Sequence, residues 1–139
     1  MVMPVSVLLV DDDLPILQTL KGVLETRNFS VATACSAGDA VRALAAAAFD
    51  LVVTDMRMET PTAGYEVVRT ARDHPQPPVV VILTAYPIPA PEWRASGADA
   101  LFVKGGGFFR MLDDLERLVS VRRARPAARV RKASGRKAG

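Results

Sequence analysis

The chain has 139 residues, one cysteine and an apolar fraction of 50%, which fits one folded domain and argues against wholesale disorder. No apolar run approaches the roughly 18 residues that a membrane-spanning helix needs, and the first residues lack the basic segment and cleavage site of a secretion signal. We therefore expect a cytoplasmic protein, and a lone Cys35, which cannot form an internal disulfide, agrees with a reducing compartment.

The formal net charge of +3 is the sum of opposite charges on two parts of the chain. Residues 122–139 contain eight Lys+Arg and no acid, so the first 121 residues hold ten Lys+Arg against all fifteen Asp+Glu and carry −5. The basic end has no apolar side chain larger than that of Val130, and Pro126 interrupts any helix entering it. We therefore expect a folded domain over 1–121 and a disordered tail over 122–139. The tail has two interpretations: an electrostatic contact with nucleic acid, membrane or an acidic partner, or a solvated terminus without a specific role.

Short β-branched runs alternate along the chain with helical patterns. Strands are predicted over 5–10, 30–34, 51–54, 79–83 and 100–103, and the three strongest are continuously apolar, as in strands covered on both faces. Apolar residues at three- and four-residue spacing predict helices after Asp13, after Ser36, over 65–73 and over 108–119. This alternation indicates βα units with right-handed crossovers, and hence a parallel sheet between two layers of helices.

Only a short helix is expected between the fourth and fifth strands. Six of the ten prolines lie between Pro75 and Pro91. Because proline is not tolerated in a helix interior, we predict a turn or two of helix near residues 91–96.

Polar residues follow the ends of the predicted strands, where sites form in open parallel sheets. In chain order they are Asp11, Asp12, Asp55, Thr84 and Lys104. Crowded carboxylates repel one another, and a hard divalent cation such as Mg²⁺ relieves that repulsion. With a lysine and a hydroxyl nearby, the set is suited to hold a phosphoryl group, with Asp55 as the nucleophile. The alternative is that the acids cap helices, for which Asp13 before Leu14-Pro15 is the candidate.

Four segments, VLLVDDD, FDLVVTDM, VVVILTA and GADALFVK, resemble in that order the receiver domain of two-component response regulators, over about residues 4–121. The resemblance implies an α/β, flavodoxin-like, doubly wound fold whose five-stranded parallel sheet has the order 2-1-3-4-5. It implies that Asp55 is the phosphoacceptor, Asp12 a direct Mg²⁺ ligand and Asp11 a ligand through water. It further implies the backbone carbonyl of Arg57 as the third protein ligand, Thr84 as the switch hydroxyl and Lys104 as the phosphate-binding lysine.

The same resemblance implies a function. A sensor histidine kinase or phosphotransfer protein would donate the phosphoryl group, and the domain would signal to a protein partner by changing conformation. Such a domain catalyses only its own phosphorylation and dephosphorylation, so we do not expect an enzyme in the wider sense. The short tail favours a stand-alone regulator; the sequence does not identify the partner and leaves a homodimer open.

The chain departs from the family pattern at positions near the site. Glu59 stands where proline is usual, so Glu59 and Arg57 either retune metal affinity and dephosphorylation or lie on a solvent-facing loop. In the family, a proline in a cis peptide usually follows the lysine, and Gly105 takes its place here. Because a cis bond without proline is costly, we expect a trans, mobile connection that fixes Lys104 less rigidly. In the family, the fifth strand carries an aromatic residue that takes part in the switch, and Leu101 stands at that position here. Phe102, one residue on, should face the opposite side of the strand.

These departures keep two other functions open. One is a pseudo-receiver, an interaction module that works without phosphorylation. The other is a nucleic-acid-associated protein that binds through the basic tail. The short fourth helix, which belongs to the family's output surface, predicts unusual partner choice under any of these functions.

Overall fold

A computed structural model describes residues 3–124, and the strands in it form one parallel sheet of order β2-β1-β3-β4-β5. The strands are β1 Val5–Val10, β2 Phe29–Ala34, β3 Leu51–Thr54, β4 Val79–Thr84 and β5 Ala100–Val103. The helices are α1 Leu14–Glu25, α2 Ala37–Ala46, α3 Ala63–Arg72, α4 Ala90–Ala95 and α5 Phe108–Arg123. The predicted α/β class, strand order and alternation of strands with helices are confirmed.

The sheet separates two apolar layers. Val7 and Leu9 of β1 pack with α1 and α5 on one face, whereas Leu8 and Val10 pack with α2 and α3 on the other. Alternate residues of a strand point to opposite faces, so a strand covered on both faces has to be apolar throughout. This explains why the first, third and fourth strands are continuously apolar in the sequence.

Side-chain caps start two of the helices at the site end of the sheet. Asp13 Oδ1 accepts from the Ile16 amide at 3.2 Å, and Pro15 lies in the first turn of α1. Ser36 Oγ accepts from the Asp39 amide at 3.0 Å at the start of α2. The capping interpretation is thus right for Asp13, which leaves the other strand-end acids for a different role.

The fourth helix is short, as predicted, with six residues. Trp93 of this helix is half-buried and packs against the layer formed by α2 and α3. No helix within residues 3–124 is long and apolar enough to cross a membrane.

The predicted boundary of the tail is wrong by two residues, because α5 continues to Arg123. Arg122 donates to the Pro77 carbonyl at 3.0 Å, and Arg123 contacts the Asp50 carboxylate at 2.9 Å. Distant acceptors therefore hold the first two cations of the predicted tail in the helix. Residues 125–139, with the rest of that prediction, lie outside the described residues.

Candidate functional site

Three carboxylates meet at the carboxyl ends of β1 and β3. These strands are neighbours, and the Asp55 amide donates to the Val10 carbonyl at 2.8 Å, which sets Asp55 beside the end of β1. Asp11, Asp12 and Asp55 each offer an oxygen, and these atoms lie within 4.8 Å of one another. Asp11 and Asp55 are buried, with exposures of 2% and 8%, while Asp12 is exposed. The structure thus brings together the acidic cluster predicted from the strand ends.

Lys104 joins two of these carboxylates. Its Nζ donates to Asp11 Oδ2 at 2.7 Å and to Asp55 Oδ2 at 3.0 Å. Its amide donates to the Thr84 carbonyl at 2.7 Å, which extends the pairing of β4 with β5 to the end of the sheet. The connection to Gly105 is trans, as expected, since no cis peptide occurs within residues 3–124. Two carboxylates contact its ammonium group, and the less rigidly fixed position expected for Lys104 stays a prediction.

Burial and neighbouring charges shift the pKa values of Asp55 and Lys104. Burial raises the pKa of the Asp55 carboxyl above its ordinary value of 3.8, and the charge of Asp11 raises it further, against the opposing effect of Lys104. Burial lowers the pKa of the Lys104 ammonium, but its hydrogen bonds to Asp11 and Asp55 outweigh burial and leave that pKa raised. Asp55 is therefore ionised at neutral pH only at a cost to folding, and Lys104 limits that cost.

We expect Asp55→Asn to raise the free energy of unfolding at pH 7 in metal-free buffer. A carboxyl whose pKa is raised by folding destabilises the native state when ionised, and this cost disappears as pH falls through the folded pKa towards 3.8. The advantage of the variant should therefore shrink as the pH is lowered to 4. Urea unfolding of both proteins between pH 4 and pH 7 measures it, and a wild-type protein of equal or greater stability at pH 7 would contradict the argument.

Thr84 ends β4 at the same edge of the sheet. It is buried, pairs with Val103 across the ladder, and its Oγ1 accepts from the Tyr86 amide at 3.2 Å. The predicted hydroxyl therefore lies at the strand end next to Lys104. Its role as the switch hydroxyl stays a prediction.

An aromatic residue that the sequence reasoning missed lies over the loop after Asp55. The Arg57 guanidinium carbon is 4.4 Å from the centroid of the Tyr86 ring, a cation–π contact between the loops that follow β3 and β4. The only signal in the sequence is an aromatic residue two positions after Thr84. The role of the Arg57 carbonyl as a metal ligand stays a prediction.

Glu59 caps α2 instead of adding a charge to the acidic cluster. Its carboxylate accepts from the Ala37 amide at 2.9 Å and from the Gly38 amide at 3.2 Å. The hydrogen bond from Ala37 is the main cause that lowers the pKa of Glu59. The structure adds a contact between the loop after β3 and the start of α2, and both alternatives, a retuned site or a solvent-facing loop without kinetic effect, stay predictions.

We expect Glu59→Gln to lower the free energy of unfolding by about 0.5–1 kcal/mol, because a carboxylate stabilises a helix N-terminus more than an amide does. A lowered pKa stabilises the fold above the ordinary value of 4.5, and this contribution is lost as pH falls through the folded pKa. The difference from wild type, measured by urea unfolding, should therefore close below pH 4.5. A difference that persists unchanged in strong acid would contradict the capping role.

Leu101, at the expected switch position, and the next residue, Phe102, point to opposite faces of the sheet, as predicted. Leu101 packs against the layer of α2 and α3, and Phe102 packs against the layer of α1 and α5. The aromatic ring of β5 thus lies on the α1 and α5 face.

The sequence pattern described as the response regulator receiver domain matches residues 7–105, which is more than half of the chain. The chain therefore belongs to the family of response regulator receiver domains. Among curated proteins it is similar to the photosynthetic apparatus regulatory protein RegA of Rhodovulum sulfidophilum, with 37% identity over 83 residues. That match covers 58% of this chain and 44% of RegA, so it spans less than half of the relative.

Solved structures share the fold over most of the chain. The chemotaxis protein CheY4 of Vibrio cholerae is 28% identical with a TM-score of 0.74, covering 82% of this chain and 98% of CheY4. The response regulator TrrA of Thermotoga maritima, solved in complex with Mg²⁺-BeF, is 26% identical with a TM-score of 0.73, covering 81% of this chain and 97% of TrrA.

Proposed function

We propose that this chain is a cytoplasmic response regulator that accepts a phosphoryl group on Asp55 from a histidine kinase or phosphotransfer protein. The observation that carries the proposal is the position of Lys104 Nζ, within hydrogen-bond distance of both Asp11 and Asp55 at the carboxyl ends of the strands. A nucleophilic carboxylate, further carboxylates and a fixed cation are the groups that phosphoryl transfer to a side chain needs. The partner that receives the signal would recognise a change in conformation.

The donor set fits Mg²⁺. Carboxylate oxygens are the hard ligands that this ion prefers, and three of them lie within 4.8 Å of one another. Asp11, Asp12 and Asp55 would hold the ion together with the Arg57 carbonyl. When bound, Mg²⁺ neutralises negative charge on the phosphoryl oxygens.

The side chains of the site divide the remaining work. Asp55 Oδ1 accepts from the Met56 amide at 2.8 Å, which orients the carboxylate. One of its oxygens would attack phosphorus while the bond from phosphorus to the donor nitrogen breaks and its electron pair returns to that nitrogen. Lys104 would exchange its hydrogen bond to Asp55 for one to a phosphoryl oxygen and keep the bond to Asp11. The Thr84 hydroxyl would donate to a second phosphoryl oxygen.

Intact-mass spectrometry after incubation with Mg²⁺ and acetyl phosphate tests this function. We expect one phosphoryl adduct on the wild-type chain and on Asp73→Asn, which changes an exposed acid at the end of α3. Asp55→Asn should give none, and a chelator should suppress the adduct on the wild type. A wild-type chain that stays unmodified would favour the phosphorylation-independent pseudo-receiver.

A further inference from the structure

A cavity of about 420 Å³ lies between α1, α5 and the end of β5. Its volume is within the range of roughly 300–1,000 Å³ that is usual for small-molecule sites. The walls are mainly apolar and come from both helices and two strands: Ile16, Leu20, Leu83, Phe102 and Met111. The proposed phosphoryl transfer uses none of these five side chains.

Three successive glycines keep one side of this cavity open. Gly105, Gly106 and Gly107 all line it, and a Cβ added at Gly105 or Gly107 would meet no atom within 4 Å. Gly105 has a φ of +94°, which favours glycine, but Gly107 has φ −68° and ψ 121°, which any residue adopts. The backbone therefore does not require glycine at position 107, and a Cβ there would meet open space at a residue that lines the cavity.

The charged groups at the cavity favour an anion. Lys104 forms ion pairs with Asp11 and Asp55, and Asp114 forms one with Arg117. Arg110 also lines the cavity, is exposed, and has no side-chain hydrogen bond or ion pair with any residue of the range 3–124. The Arg110 guanidinium can pair with one carboxylate, and the apolar wall beside it can contact a hydrocarbon group.

We propose that this cavity binds a small apolar molecule that carries one carboxylate, of the class of a medium-chain fatty acid. The hydrocarbon part lies against Leu20, Phe102 and Met111, and the carboxylate pairs with Arg110.

Calorimetric titration of the full chain with decanoate tests the site. We expect one saturable site on the wild type and no binding of decylammonium, which has the same hydrocarbon chain and the opposite charge. Arg110→Gln should weaken the binding of decanoate by about three- to fivefold, since an ion pair at an exposed side chain contributes up to about 1 kcal/mol. Arg69→Gln, which makes the same charge change on α3 across the sheet, should leave the affinity unchanged.

Two variants that fill the cavity complete the test. Gly107→Leu and Ile16→Trp should each abolish decanoate binding, with circular dichroism showing that both remain folded. Because Arg110 is exposed, Arg110→Gln keeps the test decisive even if a filled cavity impairs folding. Absence of saturable binding to the wild type, or binding that Arg110→Gln leaves unchanged, overturns the proposal. The titration needs no phosphodonor, so its failure is distinct from a failure of phosphorylation at Asp55.

Discussion

Gly64→Ala is expected to lower the free energy of unfolding by about 3 kcal/mol and to displace the loop that carries Asp55. A Cβ at this position would lie 2.5 Å from the Asp55 carbonyl oxygen and 2.7 Å from Met56 Cα. Both are backbone atoms, and the Gly64 amide donates to the Met56 carbonyl at 2.8 Å, so α3 cannot move away without losing that bond. Urea unfolding measures the loss, and the phosphoryl adduct should form more slowly on the variant.

Gly22→Ala is the matched control for this substitution. Gly22 lies in α1, and a Cβ there would meet no atom within 4 Å, so alanine should stabilise the helix by about 0.5–1 kcal/mol. The two glycine substitutions are thus expected to act in opposite directions. A Gly64→Ala protein as stable as the wild type would show that the contact between α3 and the Asp55 loop is not tight.

Lys104→Gln is expected to slow phosphoryl transfer to Asp55 by about 100-fold or more. The variant removes a fixed cation that would stabilise charge developing on the phosphoryl oxygens. It also removes the opposing effect of Lys104 on the pKa of Asp55, so that pKa should rise further. The rate of adduct formation with saturating Mg²⁺ and acetyl phosphate is the measurement.

Lys21→Gln provides the control for the loss of charge. Lys21 pairs with Glu25 on the surface of α1 at 3.1 Å, and such exposed pairs contribute little to stability. Its rate of adduct formation should equal that of the wild type. If Lys104→Gln reacts within about threefold of Lys21→Gln, Lys104 does not have the stabilising role that its position suggests.

The parts of the fold that follow from local chemistry could be predicted from the sequence. A strand covered on both faces has to be apolar throughout, which identified β1, β3 and β4. Prolines limit a helix to its first turns, which predicted the six-residue α4. Polar residues at the strand ends meet because parallel strands share one carboxyl edge. The acidic cluster and Lys104 could therefore be grouped without coordinates.

The contacts made by loop side chains could not be predicted in the same way. Glu59 looks like an extra charge beside Asp55 because the two are near in sequence, but its carboxylate reaches the start of α2. Arg57 has no sequence pattern that indicates Tyr86 as its neighbour, because two separate loops have to fold before the residues meet. The direction of a loop side chain depends on such long-range packing, which hydrophobic periodicity does not report.

The end of α5 shows the same limit for charge patterns. A count of cations assigned Arg122 and Arg123 to a tail, because a run without acids resembles a solvated terminus. Their partners, Asp99 and Asp50, lie far away in the sequence and are brought near only by the folded sheet. Local composition therefore placed the boundary two residues too early.

Borohydride reduction tests the phosphoacceptor most directly. Borohydride reduces an acyl phosphate to an alcohol, so an aspartyl phosphate becomes homoserine, whereas a phosphorylated serine or threonine is not converted. After incubation with Mg²⁺ and acetyl phosphate, reduction and proteolysis, we expect peptide sequencing by mass spectrometry to find homoserine at position 55. Homoserine at another aspartate, or an adduct that yields no homoserine, would contradict the assignment of Asp55.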